Sequence, residues 1–328
     1  MSQSQKRFLS ATEKRRRALI AAAVVLLLAA AAFAAVTIAT SKSEAQNETE
    51  ETGTVLSDED AKELTKLEWT CEGRTLSFTY DRSSELWSRT GDPEYPVAQD
   101  ILARMAESVS SLTAVRSFSA DNGSSYGFDE PYLTISAEYA SDPGTLFFTF
   151  GSKNEMTAEY YVKTDGSDEI YTVAASAVPY FSFSETELIE KETIPSPQRG
   201  DIVSVTVRRG DFEYEMADET ALARVPALSL YNVADYRPDD AVKEAYGLDD
   251  AQASVITVRY NVTKQITSTD SSKAITGTAG VVTEQSYTLR VGSLCFDDAD
   301  YRYAMYGDSP VVYRIKAEAA DTVIGTLQ

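Results

Sequence analysis

The sequence predicts an α+β fold: an N-terminal transmembrane helix followed by two tandem related units, each an antiparallel sheet with a packed helix. Three observations lead there. Residues 18–40, ALIAAAVVLLLAAAAFAAVTIAT, hold no charge. Beyond them, short segments alternate apolar and polar residues with the period of a strand. Six such segments then recur, in the same order, later in the chain.

At about 1.5 Å per residue the apolar run makes a helix of roughly 34 Å, enough for a hydrocarbon core of about 30 Å. Lys6, Arg7, Lys14, Arg15, Arg16 and Arg17 precede it, opposed by Glu13 alone, and the acidic stretch SKSEAQNETEETG follows. Basic residues ahead of the run keep the N-terminus in the cytoplasm and send the rest across the membrane. The expected organisation is a basic cytoplasmic tail (1–17), an anchor (18–40), an acidic linker (41–56), a first α+β unit (57–195) and a second (196–328) with a hairpin insertion near 263–284. A cleaved signal peptide is the rival reading of the run, but its apolar part spans about 7–15 residues, fewer than here. No cysteine lies near the end of the run, so a lipid-modified cysteine is excluded as the anchor.

The 328 residues carry a net charge of −21; the first 40 hold six basic groups and one acid, which leaves −26 on residues 41–328. Such a body repels nucleic acid, anionic lipid and anionic wall polymers, so its partners are expected to be cationic, neutral or bridged by divalent ions. The two cysteines, Cys71 and Cys295, stand at places in the repeat that do not correspond, and their pairing is left open.

Ser57 with Asp60 three residues on resembles a capping box and predicts a short helix. Leu67, Trp69 and Cys71, then Leu76, Phe78 and Tyr80, alternate as a hairpin around EGRT. Pro96 suits a helix start, and Val97, Ile101, Met105, Val109 and Leu112 form one apolar stripe to cover a sheet face. Val203, Val205 and Val207, then Phe212, Tyr214 and Met216, repeat the hairpin spacing around RRGD. SLTAVRSF (111–118) is answered by SLYNVADY (229–236), LTISAEY (133–139) by SVITVRY (254–260), FTFGS (148–152) by LRVGS (289–293), and YVKTDGSDEIYTV (161–173) by YAMYGDSPVVYRI (303–315). Pro226 interrupts the second helical connection, so any helix there is expected to be brief.

The remaining block is YGFDEP (126–131), answered by YGLDDA (246–251). Gly127 and Gly247 stand where a connection ends and a strand begins, a place that often needs the left-handed backbone glycine permits. Tyr126 and Phe128, or Tyr246 and Leu248, are placed to clamp the turn, and Asp129 and Asp249 suit turn hydrogen bonding. The motif reads as a joint used twice rather than a ligand site.

The anchor, LW at 86–87, the amphipathic helix ending in SL, YGF-D-EP, the FG strand end and YYVK…IYTV together resemble the domain of unknown function 4340 family. The resemblance covers residues 67–190 and, more weakly, 203–316, where the LW hairpin extension and the proline after YGLD are missing. It implies a membrane-attached extracytoplasmic bacterial protein with the unit present twice, and an association with envelope ABC transport systems. It carries over no catalytic residue.

The chain has no histidine. That removes Ser-His-Asp and Cys-His catalysis, the usual zinc sites and histidine pH switching. Neither a P-loop nor a dinucleotide fingerprint occurs. The protein is read as not an enzyme: no catalytic, cofactor-binding or metal-ligating residue is assigned, and no cofactor is expected. Asp129 with Glu130, or Asp297 with Asp298, is a formal glycosidase pair, and DGSD (165–168) and DDAD (297–300) are formal calcium ligands, but acids of this kind are expected in strand connections anyway. RGD (209–211) falls in the hairpin turn that answers EGRT. Tyr160, Tyr161, Tyr301, Tyr303, Tyr306 and Tyr313 fall in the last meander strands, where they either pack or form an aromatic binding surface.

One feature breaks the repeat. From the YG glycine to the strand-end glycine is 24 residues in the first unit (127 to 151) and 45 in the second (247 to 292). The extra residues, with β-branched flanks about the polar STDSSK, predict a long protruding hairpin able to accept a partner strand, unless it is a tolerated loop. The function expected is that of a membrane-anchored extracytoplasmic binding or accessory protein, a scaffold or partner of a cell-envelope transport complex. The alternative is a module binding a small ligand, sugar or calcium.

Overall fold

The computed structural model describes residues 53–119, 126–142, 144–266 and 279–325. The basic tail, the apolar run 18–40, residues 41–52 of the acidic linker and residues 267–278 of the expected insertion lie outside the described residues, among which no helix is long and apolar enough to cross a membrane. The chain divides at Thr54, and the body begins at Val55, which bridges Thr113.

The class is α+β, dominated by two antiparallel sheets. The first holds β1 (Leu64–Cys71), β2 (Arg74–Asp81), β3 (Leu86–Arg89), β4 (Arg116–Ser119), β5 (Leu133–Tyr139), β6 (Thr145–Asn154), β7 (Glu159–Thr164) and β8 (Glu169–Ala174), in the order β3-β2-β1-β5-β6-β7-β8-β4. The second holds β9 (Ile202–Arg209), β10 (Phe212–Glu215), β11 (Leu230–Tyr236), β12 (Ser254–Ile266), β13 (Ala279–Leu294), β14 (Tyr301–Tyr306) and β15 (Val311–Lys316), in the order β10-β9-β12-β13-β14-β15-β11. The orders match strand for strand except for β3, which has no counterpart.

Register corrects one sequence block by two residues. Trp69 faces Ile135 as Val207 faces Ile256, and Leu64 faces Tyr139 as Ile202 faces Tyr260. The counterpart of Leu67 is therefore Val205, not Val203. Both strands skip one residue, Thr65 or Val203, against their neighbour, so Ile202 turns inward and Val203 is 47% exposed. Phe212, read from spacing as inward, is 77% exposed, because it matches Arg74 at the end of a two-residue turn rather than Leu76. RGD is the end of β9 and that turn, with the Arg209 Nε donating to the Gln252 carbonyl at 3.0 Å.

Helix α1 (Gln99–Ser110) covers the first sheet through Leu102, Met105, Ala106 and Val109. Pro96 lies ahead of it instead of in its first turn, and Val97 bridges Ile189 in extended backbone. Ser57 is not a cap: its hydroxyl donates to the buried Ser110 carbonyl at 3.0 Å, while Asp60 caps a single 3₁₀ turn, Ala61–Glu63. In the second half α2 (Glu219–Leu222) gives way to a 3₁₀ turn, Val225–Ala227, with Pro226 as its second residue, and α3 (Asp240–Ala245) precedes the second YG. The cover of this sheet is completed by α4 (Ala317–Ile324), whose Ala320 and Val323 are fully buried beside Leu222 and Val225. No sequence block announced α4, since the first half has only a 3₁₀ turn, Ala175–Ala177, at that place.

The two sheets are joined along β11 and β15. Val311 and Tyr313 belong to the core of the first sheet, and the Tyr313 hydroxyl donates to Glu192 at 3.1 Å. Tyr236 donates to Asp92 at 3.0 Å and meets Tyr95 edge-on, while Arg237 reaches both Asp92 and Glu94.

Candidate interaction surface

The hairpin β12–β13 outgrows its sheet. β9 accompanies β12 only as far as Tyr260, and β14 joins β13 only from Leu289 onward. β12 and β13 nevertheless stay paired through Asn261↔Glu284 to Ile266↔Ala279. In the first sheet the corresponding hairpin β5–β6 ends at Glu138↔Thr145. The insertion is thus a two-stranded ribbon continuing the sheet, with neither neighbour strand following it.

β-branched residues hold this extended form. Val262 and Thr283, then Lys264 and Val281, continue the side on which Ile256, Val258 and Tyr260 face the core. Val262 still touches that core, but Val281 is 47% and Val282 60% exposed. Arg259 pairs with Glu284 at the ribbon's root, where Tyr260 donates to Gln285 at 3.1 Å. The neighbouring Tyr287 hydroxyl is buried without a partner, and burial holds its phenol well above the usual range. A ribbon of two strands is at best marginal in water, and open edges are what a third strand takes.

The repeated YG motif closes against the repeated GS strand end. Ser152 donates to the Tyr126 carbonyl through its amide at 2.7 Å and its hydroxyl at 3.1 Å; Ser293 does the same to Tyr246 at 2.8 and 2.9 Å. Gly127 and Gly247 adopt φ of +79° and +66°, and a Cβ on them would stand 2.6 and 2.9 Å from the Ser152 and Ser293 amides. A Cβ on Gly151 or Gly292 would collide with the Tyr126 or Tyr246 carbonyl oxygen. Tyr126 packs on Tyr161 at 5.0 Å and Tyr246 stacks on Tyr303 at 4.0 Å, with Leu248 buried below. Asp249 accepts from the Ala251 and Gln252 amides, while Asp129 lies in an exposed turn. Sequence blocks showed both halves of this clamp, but nothing in them showed that the halves meet.

The six meander tyrosines separate. Tyr303 and Tyr313 are buried, and Tyr160, Tyr161, Tyr301 and Tyr306 are half-buried. Tyr160 stacks on Tyr132, and Tyr301 lies under the Lys316 ammonium at 4.0 Å. DGSD is the β7–β8 turn; in DDAD, Asp297 pairs with Arg314 at 2.7 Å and Asp298 accepts from the Asp300 amide. Among the described residues no three acidic or thiol side chains are grouped to hold a metal ion. Asp129–Glu130 and Asp297–Asp298 lie in connections of different sheets. Cys71 and Cys295 are both free and buried, and burial pushes the Cys295 thiol up to about 11.

Two hollows among the described residues are open and polar. One, about 850 Å³, runs between the start of α1, residues 183–193 and β11. The other, about 420 Å³, is lined by Asp249, Asp250 and Arg290, with Asp250 held on Arg290 at 2.8 Å. The family described as Domain of unknown function (DUF4340) matches residues 87–250, half of the chain, from Trp87 in β3 to the residues just ahead of β12. No curated protein and no solved structure matches it.

Proposed function

This chain belongs to the domain of unknown function 4340 family, and from there we propose that it works by binding. It is a single-pass, N-in membrane protein whose two tandem related units stand outside the cell and serve as accessory or scaffold to a cell-envelope complex, with an ABC transport system as the partner to test first. The ribbon is the observation that carries this reading: six strand pairs that the repeated fold does not need, with open edges and exposed valines. The charge of −26 on residues 41–328 argues against nucleic acid or anionic lipid headgroups as the partner.

The test uses the full chain. Replacing residues 263–282 by Asn-Gly joins Val262 to its register partner Thr283 through a two-residue turn. Crosslinking in intact cells, followed by mass spectrometry, is expected to capture a partner with the native chain and to lose it with the shortened one. An identical set of adducts from both chains places the interface elsewhere, first on the half-buried tyrosines.

The small-ligand alternative has one observation in its favour, the hollow at Asp249 and Asp250, where Asp249 Oδ2 is buried without a partner. Calcium that raises the melting temperature of the native chain, but not of Asp249→Asn, would promote it.

A further inference from the structure

We propose that the ribbon's mate is a second copy of this chain, joined edge to edge along β13 about a two-fold axis; this rests on the ribbon being a docking element. Charge is the first reason. A body of −26 repels its own copy, yet residues 261–266 and 279–286 carry one lysine, Lys264, and one glutamate, Glu284. The ribbon is therefore a neutral arm on an anionic body. Six residues of strand span about 20 Å, more than twice the Debye length of about 8 Å at physiological salt. Two ribbons lying antiparallel keep their acidic bodies at opposite ends, beyond most of their mutual repulsion.

The choice of edge follows from the side chains. The described exposed residues on the β12 side are Thr263 and Lys264, and an edge lysine is a residue that blocks strand addition. The β13 side offers Val281, Val282 and Thr283, exposed and uncharged, and the one charge that follows them, Glu284, is paired with Arg259 at the ribbon's root. Antiparallel pairing of β13 with itself is isologous, so the valine segment of each copy lies beside the same segment of the other. It continues the sheet as a four-stranded ribbon, which the two-stranded form needs for stability. The contact is smaller than the roughly 1,200 Å² of a stable soluble complex, so it requires the raised effective concentration of chains held in one membrane.

The test is a cysteine at the centre of that edge, Val282→Cys, in the full chain in intact cells under mild oxidation. Cys71 and Cys295 are buried and stay silent; Met156→Cys, at a site 96% exposed, is the control for random collision. The expected result is a disulfide-linked species of twice the chain mass with Val282→Cys, absent with Met156→Cys, and lost when Val281→Lys is added. A disulfide to a different protein overturns self-pairing and leaves the ribbon as a docking element. No adduct, with the melting temperature unchanged, overturns self-pairing, and the docking role itself stands or falls on the crosslinking of the shortened chain.

Discussion

Tyr126, Gly127, Gly151 and Ser152 act as one unit, and so do Tyr246, Gly247, Gly292 and Ser293. In each, one carbonyl takes two hydrogen bonds from a serine, and two glycines let the backbones approach. A methyl on Gly151 has nowhere to go except into the Tyr126 carbonyl, which is backbone and held in place. Gly151→Ala and Gly292→Ala are each expected to lower stability by about 1–3 kcal/mol, the range for overpacked sites. Gly127→Val adds backbone strain to a clash and is expected to cost at least about 1 kcal/mol. Shifted denaturant midpoints check these values, and unchanged midpoints for all three would mean the glycines are incidental. The residues were legible because the block occurs twice. Their meeting was not, because the partners lie 24 and 45 residues apart and neither motif names the other.

At the scale of elements, alternation located the strands while register decided what each side chain does. Val203, Val205 and Val207 alternate well in sequence, but the residue skipped at Val203 turns it outward and brings Ile202 in. Such a skip is set by the partner strand β12, so the spacing of β9 alone does not reveal it. The same holds for α1, whose buried row runs through Leu102 and Ala106 rather than starting at Val97. The ribbon was legible because the repeat lacks it elsewhere. It lies past the point where β9 and β14 stop, and only Val262 among its described side chains reaches the core. Replacing residues 263–282 by Asn-Gly is therefore expected to leave the melting temperature nearly unchanged, since a shorter closed loop also costs less entropy. A collapse of the thermal transition would show that the ribbon belongs to the folding unit.

For the whole molecule, the sheet orders match strand for strand apart from β3, and contacts between the sheets hold the two halves to each other. Tyr313 sits in the core of the other sheet, and Arg237 binds two acids of the β3–α1 connection. These contacts join residues more than 100 positions apart and have no signature in sequence. At this scale the proposal rests on composition: the charge of −26 after residue 40 and the uncharged run at 18–40 are what the proposed placement of the body outside the membrane is built on. That placement is tested most directly by adding protease to intact spheroplasts that carry the full chain with a tag at its C-terminus. Digestion of the body from outside, with the N-terminal tail protected until the cells are lysed, is the expected result. Full protection of the tagged body, with digestion only after lysis, would contradict it.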